Sequence, residues 1–118
     1  MISEDGPKSR PGPPRRFDRY PLDVRLSVQV FRPSGTVSSW GRSNELGEDG
    51  LSGTVTEALE PGEVVSLELA LPLMTSPLKA RALVRYRDGL RHGFEFLALT
   101  PEQREAIHRV CEMLSAGR

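Results

Sequence analysis

The sequence predicts a mainly β fold, a six-stranded antiparallel β-barrel with one C-terminal α-helix, and three observations carry that prediction. From Val24 to Phe96, apolar and polar residues alternate with a period of two in short runs, and turn residues separate the runs. No helical pattern interrupts them, which excludes the alternating strand and helix order of a parallel sheet and favours a closed or nearly closed antiparallel barrel. The period changes to that of a helix once, at the C-terminal end.

Each element has its own justification. Residues 1–14 hold Pro7, Pro11, Pro13, Pro14, Gly6 and Gly12 with almost nothing apolar. Such a segment buries too little surface to offset its ordering entropy, so it reads as a disordered tail ahead of a domain spanning 15–118. After Pro21, the residues Val24, Leu26, Val28 and Val30 alternate with Arg25, Ser27 and Gln29, which marks a first strand with one face inward. Pro33-Ser34-Gly35 is a turn, and a second strand runs over roughly 36–46. Gly47-Glu48-Asp49-Gly50 reads as a tight turn that needs positive φ. A short third strand follows with Leu51 and Val55 inward, and Pro61-Gly62 leads into a fourth carrying Val65, Leu67, Leu69 and Leu71. Residues 72–77 form a loop. The fifth strand puts Ala80, Ala82, Val84 and Tyr86 on one face and Lys79, Arg81, Arg85 and Arg87 around the other. Asp88-Gly89 is a hairpin signal, and the sixth strand turns Phe94 and Phe96 inward. Thr100, Pro101 and Gln103 together spell a capped helix start, and Ile107, Val110, Cys111 and Leu114 recur at i, i+3, i+4, i+7 as its apolar stripe.

Composition narrows the function classes. The formal net charge is +0, yet residues 1–20 contain Lys8, Arg10, Arg15, Arg16 and Arg19 against Glu4, Asp5 and Asp18. The entry to the fold is therefore locally basic, whereas a nucleic-acid polymer needs Lys and Arg spread along a groove. The pattern favours a compact anionic ligand and no nucleic-acid polymer. Cys111 is the single cysteine, which excludes an internal disulfide and a cysteine zinc site and makes a reducing, cytoplasmic setting the expectation. No apolar run approaches the ~18 residues of a spanning helix, so no membrane insertion is expected.

Catalytic constellations do not assemble. His92 and His108 fall on different elements and read as solvated surface residues, while Cys111 belongs to the apolar stripe and reads as a small buried hydrophobe. The glycines from Gly47 to Gly53 lack the lysine and following helix of a phosphate loop, and the carboxylates form no pair at fixed spacing. The expectation is a protein that is not an enzyme and carries no cofactor or metal.

Arg15-Arg16-Phe17-Asp18-Arg19-Tyr20 is the segment with chemistry in it. A guanidinium is planar, stays charged at physiological pH and presents forked donors that match phosphate oxygens or the O6/N7 edge of guanine. Arg15, Arg16 and Arg19 together read as an anion clamp on a hinge between the tail and the first strand.

An Arg-x-x-x-Arg placed just ahead of the first of six strands, with one helix last, resembles the PilZ domain, a bacterial receptor module for cyclic di-GMP; Arg15 and Arg19 fit that first signature. The resemblance covers the chain from Arg15 to about Leu114. It implies that the arginines grip the phosphates and guanine edges of cyclic di-GMP. It implies also that a second signature, Asp/Asn-x-Ser-x-x-Gly, lies on the second strand and its turn, where the acid or amide and the hydroxyl bond a guanine. Here the best register is Glu45-Leu46-Gly47-Glu48-Asp49-Gly50, because Gly50-Leu51 then opens the next strand. Glu45 replaces Asp/Asn with the same acceptor on a longer stem, Gly50 matches, and Gly47 lacks the serine hydroxyl. One neutral hydrogen bond is worth about 0.5–1.5 kcal/mol, so the loss weakens binding. Arg42 and Asn44, with Ser43, are possible additional donors, and Trp40 or Tyr20 can stack on a purine or fill the core. The expected partners are cyclic di-GMP and an unidentified effector protein. The alternative is a degenerate module that has lost the nucleotide and serves only protein interaction, which Gly47 favours.

Overall fold

The structure, a computed structural model, describes residues 17–117. The tail at 1–14 and two of the clamp residues, Arg15 and Arg16, lie outside the described residues. Among those residues the chain forms β1 (Tyr20–Pro21), β2 (Arg25–Arg32), β3 (Gly35–Leu46), β4 (Gly50–Val55), β5 (Val64–Leu69), β6 (Leu78–Asp88), β7 (Arg91–Leu97) and α1 (Pro101–Ala116). All strand pairings are antiparallel. The sheet order β1-β3-β2-β5-β6-β7-β4, with β3 also paired to β4, closes β2 to β7 into a six-stranded barrel. Closure removes the exposed strand edges that an open sheet leaves.

The register follows the alternation. Leu26, Val28 and Val30 of β2 stand opposite Leu69, Leu67 and Val65 of β5, and all six are buried. Ala82 and Val84 of β6 meet Phe96 and Phe94 of β7, and Leu51 of β4 meets Phe94 from the other side. Each side chain of this size contributes about 1.5–3 kcal/mol by leaving water. The inward residues of β3 are small: Val37, Ser39 and Gly41 oppose Val30, Val28 and Leu26. That parity turns Trp40 outward, where it is 62% exposed and no part of the core. Tyr20 packs against the core from β1.

β1 is the element that alternation does not announce. Tyr20 pairs with Leu46 and Pro21 with Glu45, on the far half of β3 beyond its pairing with β2, and the Leu22 N–H donates to the Asn44 carbonyl at 3.1 Å. The two-residue strand brings the chain entry beside the β3–β4 turn.

Helix α1 starts as its sequence demands. The Gln103 N–H donates to Thr100 Oγ1 at 3.1 Å, and the Thr100 N–H donates to Gln103 Oε1 at 3.0 Å. The Gln103 side chain also donates to the Lys79 carbonyl at 2.6 Å, tying the helix start to β6. Ile107, Val110 and Cys111 are buried in the core cluster, and Leu114 packs at its edge.

Two expectations are corrected. His92 is not a surface residue: it is fully buried, its Nε2 accepts from the Leu59 N–H at 2.9 Å, its Nδ1–H donates to the Leu90 carbonyl at 2.9 Å, and its ring stacks on Phe94. Burial pushes its pKa down, so the neutral ring serves as a bridge between two backbone groups. The turn at 47–50 does not use positive φ either; left-handed glycines occur at Gly35, Gly62 and Gly89 instead.

Candidate functional site

The β3–β4 turn requires glycine for space. A β-carbon on Gly50 would lie 2.0 Å from the Phe94 carbonyl oxygen, so β4 can begin there only without a side chain. A β-carbon on Gly47 would lie 2.6 Å from Arg19 Cδ, 2.8 Å from Arg19 Nε and 2.9 Å from the Asp18 carbonyl oxygen. Arg19 therefore lies flat across Gly47. The chain entry and the turn, far apart in sequence, form one surface feature.

The turn is anchored on every side. The Gly47 N–H donates to the Gly50 carbonyl at 2.8 Å, and the Phe96 N–H donates to the Asp49 carbonyl at 2.9 Å. Arg19 Nε stands 3.4 Å from Asp49 Oδ1, with the two side chains 11% and 33% exposed. That approach is a charge pair without a directed hydrogen bond: among the described residues both atoms are buried and lack a hydrogen-bond partner. On the other flank His108 of α1 donates from Nδ1 to Glu48 Oε2 at 2.9 Å, while its Nε2 lies 3.3 Å from Glu112. The Glu48 carboxylate, by that hydrogen bond above all, raises the His108 pKa. Expected as a solvated residue, His108 is half-exposed and joins the helix to the turn. Cys111 lies on the same side of α1; burial chiefly, with Glu48 and Asp49 adding, pushes its thiol up to about 11.

Of the expected site residues, the structure brings Arg19, Gly47 and Gly50 together. Glu45 sits half-buried on β3 between Pro21 of β1 and Ser52 of β4. Arg42 and Asn44 do not reach the turn. They line an open depression of about 540 Å³ with Pro21, Leu22, Asp23, Ser43 and Thr54. Arg42 pairs with Asp23, and Asn44 Oδ1 accepts from the Thr54 hydroxyl at 3.3 Å. Ser43 is committed to structure, donating to the Leu22 carbonyl and accepting from the Val24 N–H at 3.0 Å. From sequence, Glu48 and Asp49 counted only as turn residues and His108 only as a solvated one, and none was assigned to the site. The one available signal was the run of two acids inside the glycine turn, and nothing in it named the partners.

The arrangement can hold an anion at Arg19 and accept hydrogen bonds at Glu45, close to a rigid turn. Comparison with known proteins agrees in fold. The PilZ domain profile matches residues 13–113. The PilZ domain of YcgR from Escherichia coli, solved with c-di-GMP, superposes with a TM-score of 0.66 at 17% identity, covering 87% of this chain and 92% of that one. The PilZ domain of CeSA from a cellulose-synthesizing bacterium gives 0.64 at 17% identity over 83% of this chain and 98% of its own. The Bacillus subtilis inhibitor of motility, MotI/DgrA, gives 0.68 at 15% identity over 88% of this chain and 52% of that longer chain. No curated protein sequence matches the chain.

Proposed function

The chain belongs to the PilZ domain family, and from that premise we propose that it is a cytoplasmic, non-enzymatic receptor for cyclic di-GMP that passes the signal to an effector protein. The observation that supports the reading is Arg19, the second arginine of Arg-x-x-x-Arg, lying across Gly47 in the turn that also holds Gly50. In this reading Arg15, Arg16 and Arg19 grip the phosphates and guanine edges. Glu45 accepts from guanine N1–H and N2–H, and Gly50 keeps the turn tight against β7. Arg42 and Asn44 flank the site and offer further polar groups if the nucleotide extends into the depression beside β1.

A second reading, a module that binds protein but not nucleotide, is favoured by one observation: Arg19 is only 11% exposed and already paired with Asp49. Isothermal titration of the purified chain with cyclic di-GMP separates the two. Saturable binding that disappears in Arg15→Ala and in Arg19→Ala supports the receptor. A charge-assisted contact is worth about 1.5–3 kcal/mol, so each loss weakens binding by roughly 10- to 150-fold. Unchanged affinity in both variants sinks the clamp, and no binding by the unmodified chain moves the reading to the interaction module.

A further inference from the structure

The polar dissatisfaction among the described residues is concentrated in one place. Three buried side-chain atoms lack a hydrogen-bond partner, namely Arg19 Nε, Asp49 Oδ1 and Ser52 Oγ. Ser52 stands opposite Glu45 on β4, so all three border the β3–β4 turn. Folded interiors leave few such atoms, and each one calls for a physical explanation.

We infer that Asp49 sets the affinity of this site by occupying Arg19 when no ligand is bound. The inference rests on the receptor reading above. The Asp49 main chain is pinned to β7, where its carbonyl accepts from the Phe96 N–H at 2.9 Å, so the side chain starts from a fixed point beside Arg19. Its neighbour Glu48 is fixed to α1 through His108. The guanidinium meets the Asp49 carboxylate at 3.4 Å and without hydrogen-bond geometry, so the pairing satisfies charge but not direction. A phosphate offers the same charge together with oxygens that the forked donors can meet head on. Ligand and Asp49 therefore compete for one side chain. The fraction of chains in which Asp49 holds Arg19 lowers the apparent affinity by that fraction. Asp49 acts through Arg19 and is a positioning residue; it need not touch the nucleotide.

The test is isothermal titration of the full chain, D49N and E48Q with cyclic di-GMP, with thermal unfolding of each as the check on folding. D49N is isosteric and removes the competing charge, so it should bind roughly two- to fivefold tighter than the unmodified chain. E48Q removes the same charge from the same turn but from the His108 side, and should change affinity much less. Should D49N fold poorly, D49S carries the same expectation. If the unmodified chain binds and D49N binds equally or more weakly, the inference falls and the receptor reading stands. If D49N and E48Q gain equally, the effect is general charge removal and the specific competition is refuted. If neither the unmodified chain nor D49N binds, the receptor reading fails and takes the inference with it.

Discussion

Gly47→Ala adds a single β-carbon whose neighbours are known, and so gives the most direct test of the site's geometry. The new atom would lie 2.6 and 2.8 Å from Arg19 Cδ and Nε and 2.9 Å from the Asp18 carbonyl oxygen, all closer than a real β-carbon tolerates. The arginine is a side chain and can swing away, giving up its pairing with Asp49; the carbonyl is main chain and must shift. Overpacking of this kind costs about 1–3 kcal/mol. Gly47 is not in the left-handed region, so alanine also restricts the unfolded chain and returns about 0.4–1 kcal/mol. The net cost is about 1 kcal/mol, a fall in Tm of about 4–8 °C for a domain of this size. Thermal unfolding of Gly47→Ala, Arg19→Ala and the double variant closes a cycle. Removing the arginine clears two of the three contacts, so Gly47→Ala in that background should cost less by about 0.5 kcal/mol or more. The same fall in both backgrounds would show that Arg19 does not lie on Gly47, and the union of the two motifs would be wrong.

Two further outcomes follow from the histidines. The raised pKa of His108 means that its link to Glu48 stabilises the fold fully below about pH 6.5, the unfolded value, and that this contribution is lost as pH rises through the higher folded value. The Tm difference between the unmodified chain and His108→Gln should therefore be largest near about pH 5.5 and shrink by about pH 8.5; a constant difference would refute the link. His92→Ala leaves the Leu59 N–H unpaired, removes one of the two hydrogen bonds at the Leu90 carbonyl, which still accepts from the Val55 N–H, and opens a cavity beside Phe94, for a cost of about 3 kcal/mol. Urea unfolding should show a lower midpoint with an unchanged slope, and a loss below about 1 kcal/mol would overturn the buried bridge.

The barrel was legible because its strands bury one face each. The alternation in Val24–Val30, Val65–Leu71 and Ala80–Tyr86 could be satisfied only by a sheet with a single interior. The helix was legible because Thr100, Pro101 and Gln103 cap it and the stripe at Ile107, Val110 and Cys111 needs cover. β1 was not, since two residues carry no period and tertiary pairing alone makes them a strand. His92 was misread by residue type, although its parity held the answer: it stands two residues before Phe94 and four before Phe96, on the inward face of β7. Trp40 is the converse case, an aromatic that β2 pairing turns out of a lumen lined on that strand by Ser39 and Gly41. The Arg19–Asp49 and Glu48–His108 pairs were beyond reach because ion-pair partners on different elements leave no periodic trace.

The departure at Gly47 and the burial of Arg19 are one event seen from two sides. From sequence, glycine in place of serine subtracts a hydroxyl, and restoring it by Gly47→Ser looks like a simple gain of one hydrogen bond. In the folded chain the missing β-carbon is what lets the Arg19 side chain lie against the turn and reach Asp49. A serine there brings a hydroxyl and also evicts the arginine, so the two changes cannot be separated by that substitution alone. In the receptor reading proposed above, Asp49 matters only while Arg19 is down on Gly47, and Gly47 matters to the nucleotide mainly through where it lets Arg19 rest. On that reading, affinity therefore depends on a contest between the Asp49 carboxylate and an incoming phosphate for a guanidinium that glycine has made room to hold.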